Sequence, residues 1–290
     1  MEISKVSIVV PAFNEVDAIG EVVRTLKERF AEAEILVVND GSNDGTGDEA
    51  RKAGATVLDH ERQLGYGASL STGTKAATRE FVLFCDGDGQ HSADDVGKLI
   101  NECDGYDMVV GARTEESSVP LSRRPGKLVL QWFANFLLGQ SIPDINSGLR
   151  IFRRRILLRY LHLMPRGFSF STTTTFAMIK TLRRIKYVPI VTRPRTGVST
   201  VRQFRDGPMA IVLMLRLSVL FEPLKVFLSV AGFTFVLFLL SLAIDMIIAS
   251  GYGISDTTVT LFLSTLIIFM FGLLCDQVSA IRREQHDFEV

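Results

Sequence analysis

The sequence has no excess of charge and little cysteine. Its 32 Lys and Arg residues balance 32 Asp and Glu residues, so the formal net charge is +0. A balanced chain has no global basic field, which argues against a nucleic acid as partner. The three cysteines, Cys85, Cys103 and Cys275, are odd in number and lack metal-ligand spacing. They favour a reducing compartment and argue against a disulfide framework.

Two common nucleotide-binding loops are also absent. No Gly-x-Gly-x-x-Gly follows the first predicted strand, which disfavours a dinucleotide-dependent dehydrogenase. No Walker-type Gly-x-x-x-x-Gly-Lys-Ser/Thr loop occurs, which excludes an ordinary P-loop enzyme. The sequence opens on a predicted strand without a basic and apolar leader, so we expect no cleaved signal peptide.

Apolar residues are present in normal amount but unevenly distributed. They make up 47% of the 290 residues, and the longest apolar runs lie in the last quarter of the chain. This length accommodates one large domain and an appendage. We predict a main domain at 1–205, a juxtamembrane helix at 206–224, a transmembrane hairpin at 225–281 and a tail at 282–290.

Short β-branched runs alternate with helical apolar spacing through the first part of the chain. The predicted strands are Lys5–Val10, Glu34–Val38, Ala55–Leu58, Phe81–Phe84 and Tyr106–Val110. Alternating strands and helices predict right-handed crossovers and an α/β fold with a mostly parallel, doubly wound sheet. Such a sheet binds ligands outside the carboxyl ends of its strands.

Four turns follow predicted strands and should therefore meet at one edge of the sheet. They are Pro11–Glu15, Asp40–Ser42, Asp86–Gln90 and Gly111–Arg113. One acidic turn would mean little, but three acidic or amide-bearing turns at a single edge favour a ligand site.

The turn Asp86–Gln90 carries the ligand types of a hard divalent cation. An isolated Asp-x-Asp more often caps a strand-to-helix turn than binds a metal. Two carboxylates and an amide oxygen nevertheless suit Mg²⁺ or Mn²⁺, usually together with substrate phosphates. Because the neighbouring turns also carry ligand groups, we predict that Asp86, Asp88 and Gln90 bind Mg²⁺ or Mn²⁺.

Ordered motifs between residues 5 and 205 resemble those of a family 2 glycosyltransferase of the GT-A fold. They are Pro11–Glu15, Asp40–Ser42, the glycines and alanine of 65–73, Asp86–His91, Gly111–Arg113 and Asp144–Arg150. Within that family the chain is most similar to dolichyl- or polyprenyl-phosphate sugar synthases, the dolichol-phosphate mannose synthase type. The resemblance implies a GT-A (Rossmann-like) sheet domain followed by interfacial helices and a two-helix transmembrane hairpin.

The resemblance also implies roles for individual residues. Donor nucleotide contacts would come from Pro11, Ala12, Asn14, Glu15, Asp40, Asp86 and Gln90. Metal ligands would be Asp86, Asp88 and Gln90. The later motifs, which include Ser147 and Arg150, would lie on the acceptor side.

The implied reaction is metal-dependent, inverting transfer of one sugar from a nucleotide-diphosphate sugar to a polyprenyl phosphate. A lipid phosphate is already anionic near neutral pH, so its binding needs cations rather than a strong base, and arginine suits that task. The candidate acceptor-phosphate residues are Arg113, Arg123, Arg124, Ser147, Arg150 and Arg202. Those expected to act in catalysis are Asp88, Arg113 and Arg124. His91 is as well explained by a role in shaping the turn as by a role as base.

Two apolar runs predict a transmembrane hairpin. Val226–Ala249 and Val259–Cys275 are each about long enough to cross roughly 30 Å of hydrocarbon. The loop between them has no Lys or Arg, whereas Arg216, Lys225 and Arg282 flank the pair. The positive-inside rule places the catalytic domain and the C-terminus in the cytoplasm. Two spans alone cannot form a transport path, so moving a product across the membrane would require another protein or a homo-oligomer.

Two shorter apolar segments allow more than one interpretation. Leu128–Leu138 contains the only Trp and fits either a core helix or an interfacial element. Pro208–Leu220 is interrupted by Arg216 and predicts a helix on the membrane surface.

Two other functions are compatible with the sequence. One is transfer to a hydroxyl of a lipid-linked glycan, and the other is a non-catalytic nucleotide-sugar-binding scaffold. The sugar, the nucleotide base and the choice between dolichyl and undecaprenyl acceptors stay open.

Overall fold

A computed structural model describes residues 2–114, 132–165, 167, 169–192, 203–248 and 253–287. The chain divides into two compact units, Met1–Leu213 and Met214–Val290. They are described separately below.

The first unit is built on one sheet of seven strands. The strands are β1 (Val6–Ala12), β2 (Glu34–Asn39), β3 (Thr56–Asp59), β4 (Phe81–Phe84), β5 (Met108–Arg113), β6 (Arg150–Arg153) and β7 (Ile185–Ile190). Their order across the sheet is β3-β2-β1-β4-β6-β5-β7. β6 runs antiparallel to β4 and β5, whereas the other pairs are parallel. The prediction of a mostly parallel α/β sheet is confirmed.

Helices connect the strands and cover the sheet. They are α1 (Val16–Arg29), α2 (Thr46–Lys52), α3 (Tyr66–Ala76), α4 (Ala93–Glu102), α5 (132–138), α6 (Arg154–Tyr160) and α7 (Phe170–Lys180). All seven residues of β1 are buried, as its continuous β-branched run predicts. At about 1.5–3 kcal/mol for each fully buried Val, Leu or Ile side chain, such strands dominate the core energetics.

The first strand extends two residues beyond its predicted end at Val10. Pro11 pairs with Val38, and the carbonyl of Ala12 accepts a hydrogen bond from Asp40 N at 2.9 Å. Pro11 lies two residues after Val9, so the backbone groups of both residues face the same neighbouring strand, β4. The carbonyl of Val9 accepts a hydrogen bond from Cys85 N on that side. Since β4 has ended at this level, the missing N–H of Pro11 costs no hydrogen bond of the ladder.

The short helix α5 has one buried and one exposed face. Ala134, Leu137 and Leu138 are buried, whereas Trp132 and Phe136 are exposed and stack with ring centroids 6.1 Å apart. The core interpretation therefore describes one face of the helix, and an interfacial role of the exposed face stays a prediction.

The second unit is a helical hairpin preceded by α8 (Gln203–Phe221), which crosses the boundary between the units. Its arms are α9 (Pro223–Ile248) and α10 (Asp256–Asp287). Each contains a segment of 25 or 26 residues that is long and apolar enough to cross a membrane. Only 6% and 11% of the most apolar stretches of α9 and α10 are buried. These helices therefore do not resemble the core helices of a soluble protein.

Polar groups join the two arms of the hairpin. The Oδ2 atom of Asp245 accepts hydrogen bonds from Ser255 N, Ser255 Oγ and Thr258 Oγ1 at 2.9, 2.8 and 2.6 Å. Thr265 Oγ1 donates to Thr234 Oγ1 at 3.0 Å. Asp245, the charged residue near the end of the first apolar run, thus caps the loop end of the hairpin, where an unbonded carboxylate would be costly.

Candidate active site

The first two turns at the carboxyl edge of the sheet are joined by hydrogen bonds. Asn14 N donates to Ser42 Oγ at 3.0 Å, and Asn14 Oδ1 accepts from Asn43 N at 3.1 Å. Glu15 N donates to Thr46 Oγ1 at 2.9 Å. Asn14 has a φ of 53°, a left-handed conformation that Asn tolerates better than most residues. The predicted donor-side turns therefore form one continuous backbone surface.

Asp40 ties the second turn to the glycine-containing loop that follows β3. Its Oδ1 accepts from Leu64 N at 2.9 Å and lies 2.7 Å from His60 Nδ1, and its Oδ2 accepts from Gly65 N at 2.8 Å. His60 Nε2 lies 2.9 Å from Thr72 Oγ1. Asp40 therefore orders this edge of the sheet, and its predicted contact with the nucleotide stays a prediction.

The acidic turn after β4 packs against the first turn. A Cβ added to Gly87 would lie 3.1 Å from the carbonyl oxygen of Pro11, so the two backbones are in close contact. Asp88 is buried, and its Oδ1 accepts from Gln90 N at 3.1 Å. Gly89 has a φ of +72°, which suits a glycine, and this conformation turns the chain back over Asp88.

Asp86, the other carboxylate of this turn, is held from two sides. Its Oδ1 accepts a hydrogen bond from Tyr66 Oη at 2.9 Å, and its Oδ2 lies 3.6 Å from His91 Nε2. Burial, the charge of Asp86 and this hydrogen bond raise the pKa of Tyr66 well above its ordinary value. The phenol therefore keeps its proton and is the donor of the pair.

The segment 144–149, predicted to lie on the acceptor side, reaches the same carboxylate. A Cβ added to Gly148 would lie 2.5 Å from Asp86 Oδ2 and 3.2 Å from its Cγ. Only a residue without a side chain allows this approach. The predicted donor-side and acceptor-side motifs thus meet at Asp86.

Arg113, at the end of β5, forms a two-point ion pair with Asp144. Arg113 Nε donates to Asp144 Oδ2 at 2.7 Å and Arg113 Nη2 donates to Oδ1 at 3.0 Å. Burial lowers the pKa of Arg113, but the hydrogen bond and charge of Asp144, with the charge of Asp86, raise it above its ordinary value. The guanidinium is therefore positively charged and fixed in position by Asp144, and its Nη1 has no hydrogen-bond partner among the described residues.

Arg150 does not fit its predicted role as an acceptor-phosphate contact. It is 1% exposed, and its guanidinium donates to the carbonyl oxygens of Ile145, Ser147 and Ser171 at 2.7–2.8 Å. Two hydroxyls of α7, Thr174 and Thr175, accept from it as well. Burial lowers its pKa to about 10, so it stays charged near neutral pH. Arg150 therefore stabilises the conformation of the segment 144–149 through hydrogen bonds to its backbone carbonyls.

Arg150→Ala should destabilise the first unit strongly. Three buried carbonyls would lose their donor, which costs about 3 kcal/mol or more. For a unit of this size the thermal midpoint would fall by roughly 6–12 °C. Thermal unfolding of the purified chain measures this, with Arg155→Ala as control because Arg155 is exposed on α6. Equal midpoints for the two variants would contradict the structural role.

A family model described as glycosyl transferase family 2 matches residues 7–161. The chain belongs to glycosyl transferase family 2. The match covers β1 to α6, which contain every described residue of the predicted site. A second model, described as the GtrB C-terminal hairpin, matches residues 222–281 and thus the helices α9 and α10. The predicted resemblance and hairpin are confirmed.

Two relatives resemble this family 2 enzyme over most of their length. A dolichyl-phosphate hexose transferase of Haloferax volcanii is 33% identical over 69% of this chain and 88% of that protein. A polyprenol monophosphomannose synthase of Mycolicibacterium smegmatis is 30% identical over 66% of this chain and 79% of that protein.

A solved structure supports the GT-A fold. Glucosyl-3-phosphoglycerate synthase from Mycobacterium tuberculosis, in complex with Mn²⁺, uridine diphosphate and glucosyl-3-phosphoglycerate, superimposes with a TM-score of 0.64. It is 20% identical and covers 75% of this chain and 82% of that chain. At this identity the comparison concerns the fold alone.

The acidic turn has the composition of a partial metal site. Within the described ranges, no three His, Cys, Asp or Glu residues are grouped to hold a metal ion. Asp86 and Asp88 provide two carboxylates, and Gln90 adds an amide oxygen from the same turn. Mg²⁺ is usually held by one or two carboxylates with substrate phosphates and water, so this set fits an ion that binds with a diphosphate.

Three of the predicted acceptor residues, Arg123, Arg124 and Arg202, lie outside the described residues. Ser147 is buried beside Arg150, and its Oγ has no hydrogen-bond partner among the described residues. Its contact with an acceptor stays a prediction.

Sequence reasoning missed two contributors to the site. Tyr66 was not among the predicted site residues, although it begins α3 and donates a hydrogen bond to Asp86. The pairing of Arg113 with Asp144 was missed because the residues are 31 positions apart. The glycine at 148 carried a usable signal, since glycine at a site often marks close approach of two backbones or of backbone and ligand.

Proposed function

We propose that this glycosyltransferase transfers a single sugar from a nucleotide-diphosphate sugar to a polyprenyl phosphate at the cytoplasmic membrane face. The observation that carries the proposal is the approach of the segment 144–149, whose Asp144 holds the Arg113 guanidinium, to the Asp86 carboxylate at Gly148. A cationic group suited to an acceptor phosphate thus lies next to the turn suited to a metal-bound diphosphate. The two relatives named above act, by their names, on dolichyl phosphate and polyprenol phosphate, which supports this choice of acceptor.

The apolar hairpin supports a lipid acceptor independently. An enzyme with a soluble acceptor gains nothing evident from two apolar helices directly after its catalytic domain. An acceptor with a long polyprenyl chain stays in the bilayer, so the enzyme must reach the membrane surface. The loop 250–258 has no Lys or Arg, whereas basic residues flank the hairpin, which supports a cytoplasmic catalytic domain.

In the proposed reaction an anionic oxygen of the acceptor phosphate attacks the anomeric carbon of the sugar. The bond from that carbon to the diphosphate oxygen breaks, its electron pair leaves with the nucleoside diphosphate, and the anomeric configuration inverts. The nucleophile carries no proton, so no general base is required. Arg113 would bind and orient the acceptor phosphate through Nη1 while Asp144 fixes its plane.

The leaving group is the second requirement of this reaction. A Mg²⁺ or Mn²⁺ ion bound by Asp86, Asp88 and Gln90 would stabilise the charge that develops on the diphosphate. The backbone surface formed by the turns around Asn14 and Asp40 would hold the nucleoside portion of the donor.

The test is nucleoside diphosphate release by the purified full chain. Candidate nucleotide sugars are supplied with polyprenyl phosphate or with the dephosphorylated polyprenol, and with Mg²⁺, Mn²⁺ or a chelator. We expect release only when both the lipid phosphate and a divalent ion are present. Equal release with polyprenol would favour a hydroxyl acceptor, and donor binding without release would favour a scaffold.

Arg113→Lys should weaken acceptor binding selectively. Lysine keeps the charge but cannot form the two-point pair with Asp144 and still present a donor to a phosphate. We expect the KM for polyprenyl phosphate to rise about tenfold, with the KM for the donor changed less than about threefold. Steady-state kinetics with each substrate varied in turn measures this. Arg153→Lys is the control, since Arg153 is the last residue of β6 and pairs with Glu80. An unchanged KM for polyprenyl phosphate in Arg113→Lys would remove Arg113 from the acceptor site.

A further inference from the structure

We propose that Tyr66 is a positioning residue that fixes the Asp86 carboxylate and thereby sets the affinity of the site for its divalent ion. The proposal rests on the proposed function, because it assigns Tyr66 a role toward the metal turn. The contact that carries it is the hydrogen bond from Tyr66 Oη to Asp86 Oδ1 at 2.9 Å.

Tyr66 is well placed to act on the Asp86 carboxylate. It is the first residue of α3, directly after Gly65, and Asp40 accepts a hydrogen bond from the backbone N–H of Gly65. Its backbone is therefore fixed to the donor edge of the sheet. Its side chain packs against the core cluster that includes Val9 and Phe84. A tyrosine with its ring in the core and its hydroxyl at a carboxylate has few alternative rotamers.

The other side of the carboxylate leaves little room for rotation. Asp86 Oδ2 faces the backbone of Gly148, where even a Cβ would come to 2.5 Å, and lies 3.6 Å from His91 Nε2. Tyr66 holds Oδ1, so the plane of the carboxylate is defined from both sides. Groups that orient metal-binding side chains typically change metal affinity 10- to 100-fold when removed.

The substitution that isolates this contact is Tyr66→Phe. It keeps the ring and removes only the hydroxyl that bonds Asp86. Tyr187→Phe is a matched control, because the hydroxyl of Tyr187 is also buried but has no hydrogen-bond partner among the described residues. Both variants should unfold within about 3 °C of the wild type, since neither creates a large cavity.

The experiment measures Mn²⁺ binding by electron paramagnetic resonance on the purified full chain, with uridine or guanosine diphosphate present. Wild type and Tyr187→Phe should bind Mn²⁺ equally, Tyr66→Phe about 10- to 100-fold more weakly, and Asp88→Asn not measurably. In transfer assays, excess Mn²⁺ should restore the rate of Tyr66→Phe, an effect that a purely structural role would not produce.

The outcomes distinguish this proposal from the proposed function. Equal Mn²⁺ affinity in Tyr66→Phe and wild type, with binding lost in Asp88→Asn, would overturn the role of Tyr66 and leave the function standing. Absence of Mn²⁺ binding in the wild type would overturn both the metal assignment and the role of Tyr66. A rate of Tyr66→Phe that excess Mn²⁺ does not restore would also contradict the proposal.

Discussion

Asp88→Asn is expected to reduce sugar transfer by about 10³-fold or more. A metal-stabilised leaving group supplies several kcal/mol of transition-state stabilisation, and about 1.4 kcal/mol corresponds to a tenfold change in rate. Asparagine has nearly the same shape and can still accept the hydrogen bond from Gln90 N, so the turn should keep its form. The loss would therefore report the missing charge and not a misfolded loop.

The rate of nucleoside diphosphate release at saturating donor and acceptor measures this effect. Asp94→Asn is the matched control, because Asp94 is an exposed residue in the first turn of α4 and pairs only at the surface with Arg29. It should retain nearly full activity. Activity of Asp88→Asn within threefold of wild type would remove Asp88 from the metal site.

Gly148→Ala should reduce transfer by about 100-fold with little loss of stability. The new Cβ would lie 2.5 Å from Asp86 Oδ2, so either the carboxylate or the segment 144–149 must move. A displacement of about 1 Å at a reacting centre can cost about 10²-fold in rate. Asp86 belongs to the proposed metal turn, and Asp144 holds Arg113 on the segment that contains Gly148, so both the metal and the acceptor would be misplaced.

Gly97→Ala provides the comparison for that substitution. Gly97 lies within α4, and the nearest atom to its added Cβ, from Phe30, is 3.8 Å away. An alanine there should be tolerated and should favour the helix slightly. When both variants are assayed, kcat should fall in Gly148→Ala and stay unchanged in Gly97→Ala. If both variants kept wild-type kcat, the contact between Gly148 and Asp86 would have no bearing on catalysis.

The sequence predicted β1 to β5 and the turns that follow them well because their signals are local. The β-branched run of β1, the apolar run Phe81–Phe84 and the carboxylates after it can each be recognised from neighbouring residues. The parallel topology then brings the turns to one edge without further information. Pro11 shows the limit of this reasoning. The predicted strand ended before Pro11, but β1 includes it because β4 has already ended at that level.

The segment 144–153 was predicted less well because its contacts are distant in sequence. β6 was missed since Arg150 and Arg153 bracket only two apolar residues, and its antiparallel partners lie far along the chain. Arg150 looked like a phosphate ligand, yet its surroundings include hydroxyls of α7 more than twenty residues away. Whether an arginine is buried and satisfied depends on such partners, which local patterns do not encode.

The most direct test of the central claim is tandem mass spectrometry of the lipid product made by the purified full chain. Polyprenyl phosphate and candidate nucleotide sugars are the substrates, and Asp88→Asn is the inactive reference. The account predicts a product with one sugar added to the lipid phosphate and a fragment in which sugar and a single phosphate remain joined. A sugar found on a hydroxyl, with polyprenyl phosphate unchanged, would contradict it.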